Sequence, residues 1–311
     1  MADAELSEIE FFEVKIAMPW GFVAGKWWGP PNIRPILVLH GWLDNLGSFE
    51  RLIPLLPRDC ISYLAVDLPG HGLSSHIPEG MCYKFLDYIS LVHRIQQIYK
   101  WDTISLMGHS LGAIMCFVYA GIFSEKVDMV VAIDELQPYI KPYVAVDFLR
   151  EMLDKTTPLI LNHLTPALQP AQTLKQIVEK FTGGYGFLTE RDCKYLLERG
   201  SKKSPFHPGK FWVTSDVRLK IINLLSLSQE HCNDLARAIK CPIMQITAVE
   251  SMDCADEVEI PPAMDVLKEL NPNFEHHLVE GSHHVHLTNP ERVAPKITNF
   301  ILKCRKQNCK I

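Results

Sequence analysis

The stretch that most constrains this chain is Leu106-Met107-Gly108-His109-Ser110-Leu111-Gly112. An apolar run from Thr103 to Met107 leads into it, and a second from Ala113 to Ala120 leads away. The first reads as a buried strand and the second as a helix packed on the same sheet. A strand that turns at once into a helix throws the residue between them into a tight, strained turn. Neighbouring backbone can then approach only where side chains are absent, which explains glycine two residues to either side of Ser110. The outcome is an accessible hydroxyl at a helix N-terminus, where backbone amides favour a developing negative charge.

The rest of the chain supplies the sheet this turn needs. Glu10 to Ala17 and Phe22 to Trp28 read as a hairpin around Pro19-Trp20-Gly21. Arg34 to Leu39 and Ile61 to Val66 are short continuous apolar runs, the pattern of strands buried on both faces. Phe49 to Leu56 and Phe85 to Tyr99 carry helical spacing, and Val127 to Ile133 is a further buried strand ending at Asp134. From Pro138 to about Glu230 helical patterns dominate, interrupted by Pro158, Pro166, Pro170, Gly183-Gly184 and Pro205. Alternation then resumes with a strand at Pro242 to Ala248, a helix at Ala263 to Leu270, a strand at Glu275 to Val279 and a last helix from Pro290.

Strands alternating with helices predict an α/β fold with a doubly wound, mostly parallel sheet. The core is expected over residues 1–137 and 231–311, with a helical cap inserted at 138–230. Ligands bind at the carboxyl ends of strands in such sheets, so the loops after Leu39, Val66, Met107 and Ile133 should share one face.

Charge and composition narrow the function classes. The 31 basic and 36 acidic residues give a net charge of −5, which argues against a nucleic-acid surface. No apolar stretch approaches the roughly 18–20 residues of a membrane span. The acidic start, Met1 to Glu10, lacks the basic and apolar regions of a signal peptide. Nine cysteines without a Cys-x-x-Cys pair, and no Asn-x-Ser/Thr sequon, fit reduced thiols in a cytoplasmic protein. The ending Cys309-Lys310-Ile311 loosely matches a peroxisomal Ser-Lys-Leu signal, which adds the peroxisome as a second location.

A serine hydroxyl becomes a nucleophile when a base removes its proton and a carboxylate orients that base. His283 follows Gly281-Ser282 directly after the last strand, where a loop histidine can reach a strand-end site. His276 and His277 fall in or before that strand, and His284 and His286 are further candidates in the same loop. The histidine cluster lacks His-Glu-x-x-His and no cysteine pair joins it, so no metal and no cofactor is expected. Asp67 and His71, in the glycine-rich loop Asp67-Leu68-Pro69-Gly70-His71-Gly72-Leu73-Ser74, are read as braces of the turn.

On these segments the chain resembles the α/β-hydrolases, and more narrowly the serine hydrolase-like proteins of animals. The resemblance is carried by His40-Gly41-Trp42-Leu43-Asp44-Asn45, Asp67 through Gly-His-Gly to Ser75, Gly108-His109-Ser110-Leu111-Gly112, and Gly281-Ser282-His283 with Pro290. Pro19-Trp20-Gly21 with Lys26-Trp27-Trp28-Gly29 is similar to insect members especially. The family implies Ser110 as nucleophile, His283 as base, and an oxyanion hole from the backbone amides of Trp42 and Leu111. The acid departs from the common Gly-x-x-Asp: Ala248-Val249-Glu250-Ser251-Met252-Asp253 has alanine at the glycine position and serine at the aspartate position. Asp134, Asp253 and Glu250 are therefore the candidates, with Asp134 preferred.

Epoxide hydrolases and haloalkane dehalogenases of this fold need an aspartate at position 110, so the serine points to acyl transfer. The expected reaction is hydrolysis of a carboxylic ester or thioester through an acyl-enzyme on Ser110. The apolar residues Phe148, Leu149, Met152, Leu153, Leu159, Ile160 and Leu161 favour an apolar small-molecule substrate. The alternative is a catalytically inactive fold used as a small-molecule or partner-binding module, motivated by the altered loop after Ala248.

Overall fold

A computed structural model describes residues 11–138, 140, 171–184, 188–221, 227–254 and 261–305, with scattered positions between 147 and 158. Its centre is an eight-stranded sheet. In chain order the strands are β1 (Phe11–Met18), β2 (Gly21–Trp28), β3 (Ile36–Leu39), β4 (Tyr63–Val66), β5 (Ile104–His109) and β6 (Val127–Ile133). After a two-stranded ribbon of β7 (Ser201–Lys203) and β8 (Phe211–Val213), the sheet is completed by β9 (Ile243–Ala248) and β10 (Phe274–Val279). Their order across the sheet is β1-β2-β4-β3-β5-β6-β9-β10. Only β2 runs against the rest: it pairs antiparallel with both β1 and β4, so β1 has the same direction as the mutually parallel β4, β3, β5, β6, β9 and β10.

The apolar runs form central strands because both of their faces are covered. Along β3, Leu37 and Leu39 join one core cluster while Ile36 and Val38 join the other. Strand β6 divides the same way, with Val130 and Ala132 on one side and Met129, Val131 and Ile133 on the other. Successive side chains alternate across a strand, so a continuous apolar run serves two layers at once. Helices α1 (Phe85–Ile98) and α2 (Leu111–Ile122) cover the first face. On the second face lies the long C-terminal helix, α8 (Pro290–Cys304). It buries Val293, Ala294, Ile297, Phe300 and Ile301, a stripe with helical spacing. Full burial of a side chain of this size is worth about 1.5–3 kcal/mol.

Between α2 and α8 lie α3 (Leu174–Gly184), α4 (Glu190–Gly200), α5 (Gln229–Ala238), α6 (Pro262–Leu270) and the single turn α7 (Val285–Thr288). Two local expectations need correction. The helical pattern at Phe49 to Leu56 resolves into two short 3-10 turns, Leu46–Phe49 and Ile53–Leu55, because Pro54 has no N–H for a continuing helix. The short, largely unburied ribbon β7–β8 lies within the stretch where helical patterns dominate; three-residue strands are too short for a periodic signal. The expectation of reduced thiols holds for Cys82, Cys116, Cys193, Cys232, Cys241 and Cys304, but Cys60 is disulfide-bonded. Pairing depends on which thiols the fold brings together, and sequence spacing does not reveal that. No helix among the described residues is long and apolar enough to cross a membrane. The ending Cys309-Lys310-Ile311 lies outside the described residues.

Because β3, β4, β5, β6, β9 and β10 run parallel and end on one edge, the loops after them gather there. That edge carries the candidate site.

Candidate active site

The turn between β5 and α2 consists of a single residue, Ser110. Ser110 has φ 51° and ψ −118°, a backbone conformation that costs a non-glycine residue about 1–3 kcal/mol. Two close approaches hold it. A Cβ on Gly108 would lie 2.3 Å from the carbonyl of Gly112, and one on Gly112 would lie 2.1 Å from the Leu39 oxygen. The first turn of α2 therefore rests directly on the ends of β5 and β3. The Ser110 N–H donates to the Ile133 carbonyl at 3.0 Å, which ties the turn to β6 as well.

Asp134, directly after β6, is also held at positive φ, 57°. Its N–H donates to Ile246 at 2.7 Å, so β9 fixes the backbone. Its buried carboxylate accepts at both oxygens. Oδ1 takes the Ala248 N–H at 2.6 Å and the Ser251 hydroxyl at 3.0 Å; Oδ2 takes Nδ1–H of His283 at 2.6 Å. With Nδ1 donating, the other nitrogen of a neutral His283 ring carries the lone pair. Burial disfavours the His283 imidazolium, but the hydrogen bond and charge of Asp134 outweigh it and raise the pKa above the usual histidine value.

Asp134 is thus the carboxylate within hydrogen-bond reach of His283. Glu250 is exposed, and its backbone N–H donates to Gly281 at 3.0 Å. The side chain of Asp253 lies outside the described residues. Ser251, at the aspartate position of the Gly-x-x-Asp pattern, donates to the Asp134 carboxylate instead. A serine at that offset, read together with an aspartate ending the preceding strand, is the signal that could have exposed this pairing.

His283 and Ser110 sit on adjoining loops. His109 donates Nε2–H to the His283 carbonyl at 2.8 Å, and the two rings lie 4.7 Å apart between centroids. Gly41 packs against the same place, since a Cβ there would be 3.3 Å from Cβ of Ser110. The backbone around Trp42 consequently borders Ser110, while Leu111 opens α2. The Trp42 side chain is 42% exposed, with its indole N–H donating to the Leu219 carbonyl at 2.7 Å.

Asp67 and His71 brace this loop. The Asp67 carboxylate accepts the N–H groups of Leu46 and Leu73 at 2.9 and 2.8 Å. His71 donates Nδ1–H to Pro69 at 3.1 Å and accepts the Leu43 N–H on Nε2 at 3.2 Å. Leu43 is another residue at positive φ, 58°, and it directly follows Trp42. Burial drives the pKa of His71 well down, consistent with a neutral acceptor.

The remaining histidines do not meet Asp134. His276 reaches Thr247 at 3.1 Å within the sheet, and His277 is 3.5 Å from Glu275. His286 is buried between Phe49 and His109, and His284 is buried beside Asp44. Burial raises the carboxyl pKa of Asp44 and of Glu135, beside His283, to about 7 each. Of the apolar residues expected to line a substrate site, Leu153 is exposed and the others lie outside the described residues.

Residues 34–191 match the family model of the α/β hydrolase fold. The chain is 36% identical to a protein of Drosophila melanogaster named "Probable serine hydrolase", over 95% of this chain and 89% of that one. It is 32% identical to the "Serine hydrolase-like protein" of Danio rerio, over 93% and 88%. Among solved structures, a hypothetical protein from Pseudomonas aeruginosa PAO1 superposes with a TM-score of 0.78 at 30% identity, covering 94% of this chain and 97% of that one. The thioesterase domain from the curacin biosynthetic pathway shares the fold, with a TM-score of 0.74 at 19% identity over 93% and 99%. With the sheet order, the strained Ser110 turn and these likenesses in hand, the chain belongs to the α/β-hydrolase fold family.

Proposed function

We propose that this protein is a serine hydrolase that cleaves a carboxylic ester or thioester of a small to medium apolar substrate through an acyl-enzyme. The observation that carries the reading is the 2.6 Å contact of His283 Nδ1 with Asp134 Oδ2, in a loop bonded to the residue before Ser110. Ser110 Oγ attacks the substrate carbonyl carbon while Nε2 of His283 takes its proton. The amides of Trp42 and Leu111 receive the negative charge on the carbonyl oxygen. The tetrahedral intermediate expels the alcohol or thiol, which takes the proton back from His283. Water, activated by the same histidine, then frees the acid and restores Ser110. Asp134 stabilises the imidazolium that exists in both halves of the cycle.

In this reading the described parts of the segment at 138–230 serve as a cap over this edge. Two hydrogen bonds support that role: Trp42 Nε1–H to the Leu219 carbonyl, and Asn45 Nδ2–H to the Leu196 carbonyl at 2.9 Å. Both join the segment to the loop carrying the Trp42 amide. The partly exposed Trp42 ring contributes apolar surface for an acyl or alcohol group.

A fluorophosphonate probe tests the reading. Purified protein should become labelled, and Ser110→Ala should abolish both labelling and turnover of short p-nitrophenyl esters. Equal labelling of the variant, or no labelling of the native chain, overturns it. A catalytically inactive binding module would leave the native chain unlabelled while it still bound apolar ligands.

A further inference from the structure

Behind the Ser110 turn, three buried side chains from three different loops point their donor atoms at one another. Asp44 comes from the loop after β3, His109 from the end of β5 and His284 from the loop after β10. One ligand atom from each lies within 4.8 Å of the other two. Nε2 of His284 stands 3.9 Å from Oδ2 of Asp44, which is the only basic nitrogen of a side chain that close to this carboxylate among the described residues. Oδ1 of Asp44 already accepts the Asn45 N–H at 2.8 Å, whereas Oδ2 has no hydrogen-bond partner among the described residues.

The protonation of His109 is determined by its neighbour. A carbonyl can only accept, so the 2.8 Å contact with His283 makes Nε2 the N–H of the ring. In the neutral ring Nδ1 then presents a bare lone pair, buried and without a partner among the described residues. Metal-binding histidines are oriented in this way, one nitrogen committed to a backbone carbonyl and the other to the ion. A buried acceptor without a donor and a buried carboxyl oxygen without a partner are each costly in an apolar surround, and a cation satisfies both.

We propose that Asp44, His109 and His284 form a binding site for one divalent late transition ion, with Zn2+ as the natural probe. Two imidazoles and one carboxylate suit zinc, copper or nickel and disfavour calcium and magnesium, which take oxygen ligands. Zinc–ligand bonds of about 2.0–2.2 Å at tetrahedral angles put donor atoms about 3.3 Å apart. The Asp44–His284 separation of 3.9 Å therefore needs only a small inward rotation of the two side chains. A fourth position remains for water. No sequence motif announces the set, because its members are separated by 65 and by 175 positions. An ion held there would cross-link the loops that carry Trp42, Ser110 and His283.

The test is Zn2+ binding to the full chain after chelator treatment, followed by competition with a chromophoric chelator. One equivalent should bind, and Asp44→Asn and His284→Gln should each weaken it at least tenfold. His276→Gln, in the sheet, should leave affinity unchanged. X-ray absorption at the zinc edge of the native chain should report two imidazoles with oxygen completing the shell, which does not depend on the variants folding. Absence of binding, binding unaffected by the two substitutions, loss with His276→Gln, or a shell without two imidazoles would each overturn the site. These readouts stand apart from esterase activity, so failure of the hydrolase reading leaves them intact.

Discussion

The strand-end loops and the described parts of 171–221, the segment between β6 and β9, are held by different physics. Around Ser110, Asp134 and His283 the chain is pinned by backbone hydrogen bonds from β6, β9 and α2, above two large apolar clusters. Among its described residues the 171–221 segment has a small apolar cluster of Leu188, Cys193 and Leu196 with Leu287 of α7, Leu219 reaches the main core, and charged side chains add directional contacts. Arg199 of α4, 2% exposed, reaches Asp67 at 2.9 Å and Glu13 at 2.7 Å. Arg218 pairs with Asp216 at 2.7 Å and donates to the carbonyls of Ile77, Pro78 and Met81. Asp192 meets Arg51 at 3.1 Å. Buried ion pairs lose much of their attraction to desolvation, so they add orientation more than stability. The apolar layers hold the strand ends rigidly, while a few directional contacts aim the insert at them.

That contrast can be broken or sharpened. The largest effect is expected from Asp134→Asn, which keeps the shape but can stabilise the wrong tautomer of His283. Ester turnover should fall about 10⁴-fold with little change in melting temperature. A loss below tenfold in steady-state kinetics would remove Asp134 from the mechanism. Next is Arg199→Met, which strands the Asp67 carboxylate without its guanidinium. We expect about 3–5 kcal/mol lower stability in chemical denaturation, since breaking one side of a buried pair leaves an uncompensated charge. An unchanged midpoint would mean that apolar contacts dock the insert after all.

Acid should loosen the braces before it reaches the sheet. Burial lowers the pKa of His40 to about 4 and drives His71 well below its ordinary value of 6.5. Both are neutral when folded and take up protons when unfolded. Their contribution is therefore present above pH 6.5 and is lost as pH falls from there, for His40 until about 4. At pH 5.5 the pair should cost about 3 kcal/mol of stability. Raised carboxyl pKa values at Asp44 and Glu135 act in the opposite direction, because those groups take up protons more readily when folded. Replacing His71 with Gln should flatten the slope of stability against pH between 6.5 and 5 by about 1 kcal/mol per pH unit. An unaltered slope would show that His71 does not titrate on unfolding in that range. The smallest effect belongs to Ser251→Ala. Loss of one hydroxyl from Asp134 should reduce turnover about 5- to 30-fold, the equivalent of about 1–2 kcal/mol. Wild-type kinetics would mean that the Ala248 amide alone holds the carboxylate.

Much of this was legible in the chain. The apolar runs of β3, β5 and β6 named the central strands because strands buried on both faces tolerate little else. The glycines around Ser110 foretold the turn because atoms 2.1–2.3 Å away leave no room for a Cβ. Short elements were not legible: Pro54 divides an apparent helix, and β7 and β8 are too brief to show a period. The braces Asp67 and His71 could be assigned a role, but their partner Arg199, 132 positions from Asp67, could not.

What the sequence by itself determined was the sheet, the Ser110 turn and the loop bearing His283, all of which follow from local sterics and apolar periodicity. Only the tertiary structure decided which carboxylate meets that histidine. Asp134 and His283 are 149 positions apart, and a hydrogen bond tolerates errors of only a few tenths of an ångström. Their contact is set by how β6, β9 and β10 lie side by side, with Ser251 turning the loop after β9 back onto the acid. No local pattern encodes that register, because it is a property of the packed sheet.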